Sequence, residues 1–147
     1  MPQESLSTPL SAPPVRHVFV YGTLRRGGSN DITRLSPTPC WVGEACLPGM
    51  LYTLGLYPGM RLQGQTGEDL PVRGEVYAIT PELERVLDRI EGLVEGALPA
   101  ETDEYARREA WVQVGGRDVL CLVYEIHARF AQPHARLLHG DWLKDVG

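Results

Sequence analysis

His17-Val18-Phe19-Val20-Tyr21-Gly22-Thr23-Leu24-Arg25-Arg26-Gly27-Gly28 runs from a short hydrophobic strand straight into a glycine-rich, hydroxyl-bearing, basic turn. Such a junction lets a fold offer backbone N–H groups to an anion. Gly22 removes the steric bar to positive φ, so successive amides can converge as an anion-binding nest, with Arg25 and Arg26 adding positive charge. The ligand this implies carries a carboxylate or a phosphate. A phosphate loop of the Gly-x-x-x-x-Gly-Lys-Ser/Thr kind is absent, because no lysine follows the glycines and Lys144 is the only lysine in the chain. Gly-x-Gly-x-x-Gly is absent as well. Local physics alone also fits a plain strand exit with two solvated arginines.

The pattern around this junction is β-rich. Residues 17–21 read as the first strand, and 40–47, 50–53 and 72–79 are apolar or alternating runs separated by Gly and Pro. At Thr80-Pro81-Glu82 the pattern changes. Thr80 suits an N-cap, Pro81 the first helical position, and Glu82 and Glu84 the positive end of the helix dipole. Leu83, Val86, Leu87 and Ile90 fall on one stripe, and Gly92 is a natural stop. After a polar stretch, Tyr105–Val114 and Arg117–Ile126 alternate across Gly115-Gly116, the pattern of a β-hairpin. Residues 132–139 suit a short final helix or turn. Several strands with one or two helices indicate an α+β fold, not an alternating parallel sheet.

The chain has 147 residues, enough for one core, so residues 16–147 are expected to form a single domain. Residues 1–15 are rich in Pro and Ser, lack the basic start and apolar middle of a secretory signal, and read as a disordered arm. No apolar run approaches the roughly 18 residues that span a bilayer, so no membrane partner is expected. Cys40, Cys46 and Cys121 cannot all pair, and without an export signal they are expected to be thiols in a reducing cytoplasm. A net charge of −5 and a pI near 5.3, with no basic stripe, argue against nucleic-acid binding and for a small-molecule partner. His134 and His139 do not share a helix face, and Cys40 and Cys46 lack a short ligand spacing, so no metal site is expected. The aromatics Trp41, Trp111, Trp142 and Tyr124 read as packing.

One carboxylate stands out. Projected along the helix, Glu91 lies about 90° from the centre of the apolar stripe, on the last turn. Partial burial and the negative end of the helix dipole both disfavour its ionised form, which raises its pKa toward the range useful for proton transfer. Glu95-Gly96 repeats the Glu91-Gly92 pair a few residues on and gives a second possible register. Glu75, in a strand, is a third candidate.

Tyr21-Gly22-Thr23-Leu24-Arg25-Arg26-Gly27 after an N-terminal strand resembles the signature loop of the gamma-glutamylcyclotransferase-like family, in particular its gamma-glutamylamine cyclotransferase-type members. Further blocks follow in the same order: Gly49-Met50-Leu51-Tyr52 with Leu54-Gly55-Leu56-Tyr57-Pro58-Gly59, then Arg73-Gly74-Glu75-Val76-Tyr77, Leu87-Asp88-Arg89-Ile90-Glu91-Gly92, and Tyr105-Ala106-Arg107-Arg108. The resemblance implies a small, mixed β-barrel with flanking helices. It favours Glu91 over Glu95, since Glu91 completes the Leu87-Asp88 spacing.

The resemblance also implies a reaction. The α-amine of a γ-glutamyl compound attacks its own γ-carbonyl, closes 5-oxoproline and expels the attached amine or amino acid, with no cofactor. Glu91 would be the general acid/base. Tyr21, Gly22, Thr23 and Leu24 would contact substrate, chiefly through backbone N–H groups. Arg25 would steer a carboxylate, and Tyr105 and Arg107 match the family's Tyr-x-Arg. The stretch 92–104 is longer than the family pattern suggests, and Glu95, Glu101, Asp103 and Glu104 make it acidic. Beside the leaving-group pocket it would favour a cationic amine. The alternative is a non-catalytic binding or regulatory module of the same fold.

Overall fold

The computed structural model describes residues 16–62, 70–93, 104–131, 136–137 and 140–143. The expected arm at 1–15, Glu95 with most of the 92–104 connection, and most of the expected final helix at 132–139 lie outside the described residues.

The elements follow in the order β1 (Arg16–Val20), a 3-10 turn (Ile32–Arg34), β2 (Cys40–Thr53), β3 (Pro58–Leu62), β4 (Leu70–Ile79), α1 (Pro81–Ile90), β5 (Tyr105–Val114), β6 (Arg117–Ile126) and α2 (Ala128–Ala131). The six strands form one mixed sheet in the order β3-β2-β4-β1-β6-β5. Neighbours are antiparallel except β1 and β6, which run parallel through Val18 and Leu122. The sheet curls until β3 faces the hairpin from the other end. The Tyr105 hydroxyl donates to the Pro58 carbonyl at 2.7 Å, and the Leu62 N–H donates to Glu125 Oε2 at 2.8 Å. The result is a half-barrel closed on that side by side chains.

Alternation along β1 divides the core in two. Phe19 and Tyr21 point into the barrel with Leu51, Met60, Val72, Val76, Cys121 and Val123. Val18 and Val20 point to the opposite face, where Leu83 and Leu87 of α1 cover them together with Tyr77, Leu122 and Tyr124. A strand buried on both faces reads as a continuous hydrophobic run, which is how residues 17–21 appear in the sequence.

The helix forms as its sequence predicts. Thr80 Oγ1 accepts the Leu83 N–H at 3.1 Å, Pro81 opens the first turn, and Gly92 takes a left-handed φ of +80° just beyond the end. Leu83 and Leu87 are wholly buried, while Ile90, expected on the same stripe, is 37% exposed because the helix ends at the rim of a cavity. The hairpin also matches, with Gly115 and Gly116 both at positive φ as a two-residue turn requires. Two departures concern the middle of the sheet. Residues 40–53 form one strand, not two, because β2 pairs with β4 up to Gly49 and with β3 from Gly49 onward, so its burial pattern changes partway. The strand Pro58–Leu62 was not expected at all.

Candidate active site

The end of β1, the turn after it, the end of α1 and the start of β5 enclose a cavity of about 430 Å³. Its wall includes Tyr21, Gly22, Thr23 and Leu24 on one element and Glu91 and Gly92 on another, with Tyr57, Pro58, Glu104 and Tyr105 completing it. The fold thus brings Glu91 and the glycine turn, about seventy residues apart in sequence, to the same space.

The turn is built by its own hydrogen bonds. The Arg25 N–H donates to the Gly22 carbonyl at 3.0 Å, Asn30 N–H to Thr23 at 2.9 Å and Ile32 N–H to Leu24 at 2.9 Å. Buried Asp31 accepts the Gly27 N–H at 2.9 Å and both the amide and hydroxyl of Thr33. Burial works against ionised Asp31, but these hydrogen bonds outweigh it and hold the carboxyl below its ordinary range. Among the described residues, no acceptor takes up the amides of Gly22, Thr23 or Leu24. All three residues line the cavity.

The reason for glycine at position 22 differs from the expected one. Gly22 does not adopt positive φ; a Cβ there would lie 2.6 Å from Pro58 Cγ, so glycine is needed for close approach of the β2–β3 turn. Left-handed φ occurs at Gly27 instead, at +91°. Tyr21 is buried, and its hydroxyl donates to the Tyr124 carbonyl at 2.7 Å while accepting the Met60 N–H at 3.1 Å. The ring and backbone of Tyr21 therefore shape the cavity, while the hydroxyl ties the barrel together.

Glu91 caps the C-terminus of α1, with its N–H held by the Leu87 carbonyl at 3.0 Å. Its carboxyl meets no cation and no hydrogen-bond donor among the described residues. Burial, reinforced by the neighbouring Glu104 carboxylate, pushes its pKa up to about 7. A carboxyl poised there exchanges protons readily near neutrality. Burial also holds the phenols of Tyr21, Tyr105 and Tyr124 well above their ordinary range, so the aromatic wall stays neutral.

Two expected ligand contacts are not brought to this cavity. Arg25 does not line it, because its guanidinium is engaged by Glu75 at 3.3 Å and by Asp141 at 2.9 Å. Arg107 does not line it either: it lies along α1, paired with Glu84 and with Asp88 at 3.2 Å. Tyr105 does reach the wall, with its hydroxyl on the Pro58 carbonyl. Two contributors escaped the sequence reading as site residues, and a third, Glu104, belongs to the acidic stretch that reading noted. Tyr57 and Pro58 come from the unexpected β2–β3 turn, and Glu104 accepts the Tyr57 hydroxyl at 2.9 Å. The Tyr57-Pro58 pair within its block was the available signal.

The sequence profile of the family described as gamma-glutamyl cyclotransferase, AIG2-like, matches residues 18–144. In Arabidopsis thaliana the protein named "Putative gamma-glutamylcyclotransferase At3g02910" is 36% identical over 86 residues, a match that takes in 54% of this chain and 45% of that protein. The chain thus spans less than half the length of that curated relative. Among solved structures, an AIG2-like protein from Mus musculus superposes with a TM-score of 0.66 at 26% identity, covering 86% of this chain and 88% of that one. YkqA from Bacillus subtilis superposes with a TM-score of 0.66 at 22% identity, over 89% of this chain and 40% of that one, a likeness of fold.

Proposed function

The chain belongs to the gamma-glutamyl cyclotransferase, AIG2-like family, and from that premise we propose that it releases 5-oxoproline and a free amine or amino acid from a γ-glutamyl compound. The observation that carries this reading is the shared cavity: an unpaired carboxyl with a pKa of about 7 beside three uncommitted backbone donors.

The chemistry follows from proton bookkeeping. The amides of Gly22, Thr23 and Leu24 receive an oxygen of the γ-glutamyl group and hold the chain folded for ring closure. The neutral α-amine attacks the γ-carbonyl, forming the ring C–N bond. Glu91 in its carboxylate form takes the proton that this nitrogen sheds, then gives it to the departing nitrogen as the original C–N bond breaks. The products are 5-oxoproline and the amine. Water is not consumed and Glu91 ends as it began. The neutral phenols of Tyr21 and Tyr105 wall the space without competing for the proton.

Glu104 extends the proposal to the leaving group. Its carboxylate stands on the wall beside Glu91, held by Tyr57, and favours a departing group that carries positive charge, such as a diamine or a lysine-like side chain. Arg25 and Arg107, both committed to carboxylates elsewhere, have no part in the substrate set.

The test is 5-oxoproline release from a panel of γ-glutamyl amines, γ-glutamyl amino acids and glutathione. We expect turnover, fastest with cationic leaving groups. No turnover on any member would favour a binding module of the same fold, and a preference for acidic leaving groups would sink the role of Glu104.

A further inference from the structure

We propose that Glu75 is a positioning residue, a buried carboxylate that fixes the outgoing limb of the glycine turn and so sets the three amides facing the cavity. The inference rests on the ligand-holding role given to that turn above.

Glu75 lies on β4 directly opposite Val20, just before the turn begins, and is only 5% exposed. A buried carboxylate is strongly unfavourable unless partners answer its charge. Here most of the answering groups come from the turn itself. Oε1 accepts the backbone N–H of Arg26 at 2.8 Å and the hydroxyl of Tyr77 at 3.0 Å, and Oε2 accepts Arg25 Nε at 3.3 Å. The side chains of Arg25 and Arg26 are then fixed in turn. Arg25 reaches on to Asp141 at 2.9 Å, and the Arg26 guanidinium stacks 4.7 Å from the Trp41 ring, which makes a T-shaped pair with Tyr77.

Beyond Gly27 the second buried carboxylate, Asp31, grips the returning limb through the amides of Gly27 and Thr33. The turn is therefore clamped on its outgoing and returning limbs by acids, while the stretch from Gly22 to Leu24 keeps its donors for an incoming acid. Donors already in place need no reordering when a ligand arrives, which is where such a clamp contributes to affinity. Arg25, the arginine expected as a substrate ligand, is tied to Glu75 by its guanidinium and Arg26 by its backbone N–H, so both help hold the backbone that binds.

The experiment compares wild type with Glu75→Gln and Glu75→Ala, using γ-glutamyl substrates for kinetics and amide hydrogen exchange resolved at residues 22–32. Glu75→Ala should raise KM by about tenfold, with kcat changed far less and the ionisation near pH 7 unmoved, since one charge-assisted contact set is lost and Glu91 is untouched. Glu75→Gln, which can still accept the Arg26 N–H, should fall between. Exchange at Arg26 and Gly28 should accelerate in the same order. Should Glu75→Ala fail to fold, Tyr77→Phe removes one partner of Glu75 and Asp141→Asn loosens its partner Arg25, and both should give smaller shifts in the same direction. Unchanged KM and unchanged exchange at the turn, even with lowered thermal stability, would overturn the proposal. If wild type turns over nothing, the enzymatic reading fails, and exchange at the turn alone decides whether Glu75 is its clamp.

Discussion

Asp88 and Glu91 are neighbouring carboxylates at the end of α1, and they meet opposite surroundings. Asp88 accepts the Tyr124 hydroxyl at 2.6 Å and Arg107 at 3.2 Å. Glu91 meets burial and a second carboxylate, Glu104. The same contrast recurs elsewhere: Glu75 has Arg25, Glu84 has Arg107, and Glu125 has Arg61 and Arg108. Arg25 and Arg107, the two arginines expected at the site, are thus engaged by structural acids. An arginine beside Glu91 would stabilise its charged form and remove its proton affinity near neutrality. Burial comes first in raising the proton affinity of Glu91 and Glu104 adds to it, and no arginine among the described residues offsets them.

The largest effect should come from removing the tuned carboxyl. Glu91→Gln should lower the rate of 5-oxoproline release by about 10² to 10⁴, the usual contribution of a positioned acid/base, with little change in substrate affinity. Asp88→Asn assayed alongside should leave the ionisation near pH 7 where it is. An equal loss of rate in both would erase the distinction.

Stability should move the other way. The folded-state pKa of Glu91 is about 7, above the roughly 4.3 of an unfolded glutamate, so folding favours its protonated form. Its favourable contribution is complete below the unfolded value and is lost as pH rises to about 7. At pH near 8, therefore, Glu91→Gln should stabilise the protein by about 1 to 3 kcal/mol, discounted for partial exposure, and at pH near 4 the gain should vanish. Denaturant titrations at the two pH values measure this. Asp31 has the opposite sign: its lowered pKa contributes stability above the unfolded carboxylate value, lost as pH falls through the folded one.

Asp88→Asn should cost about 1 to 2 kcal/mol, because Tyr124 keeps an acceptor but Arg107 loses one of its two carboxylates. Thermal unfolding reads it. The smallest shift belongs to Glu104→Gln. Burial dominates the raised pKa of Glu91 and Glu104 adds to it, so the acidic limb of the pH–rate profile should fall by less than about one unit. The same variant should narrow the gap between cationic and neutral leaving groups.

What the sequence made legible divides along the same line as local and distant contacts. The capped helix, its glycine stop, the Gly115-Gly116 hairpin and the edge-of-core placement of Glu91 rest on residues close in the chain, and each formed as read. The curled mixed sheet agrees with the family resemblance. The fate of Arg25 was not legible, because its partners lie 50 and 116 residues away. Gly22 was singled out for positive φ, whereas its real constraint is Pro58, delivered by a turn whose Gly55 and Pro58 are visible in the sequence but whose packing partner is not. Strand β3 is short and draws its pairing from β2, so periodicity over Pro58–Leu62 had little to work with.

The left-handed glycine that ends α1 has an engineering consequence. Because Gly92 stops the helix immediately after Glu91, the acid takes its position from α1 and the core beneath it and not from the connection that follows. Changes of length in that connection should therefore leave the Glu91 backbone where α1 sets it. On the proposed reading, transplanting the 93–104 segment should alter which amine departs and, through the loss of Glu104, lower the Glu91 pKa slightly while ring closure is retained.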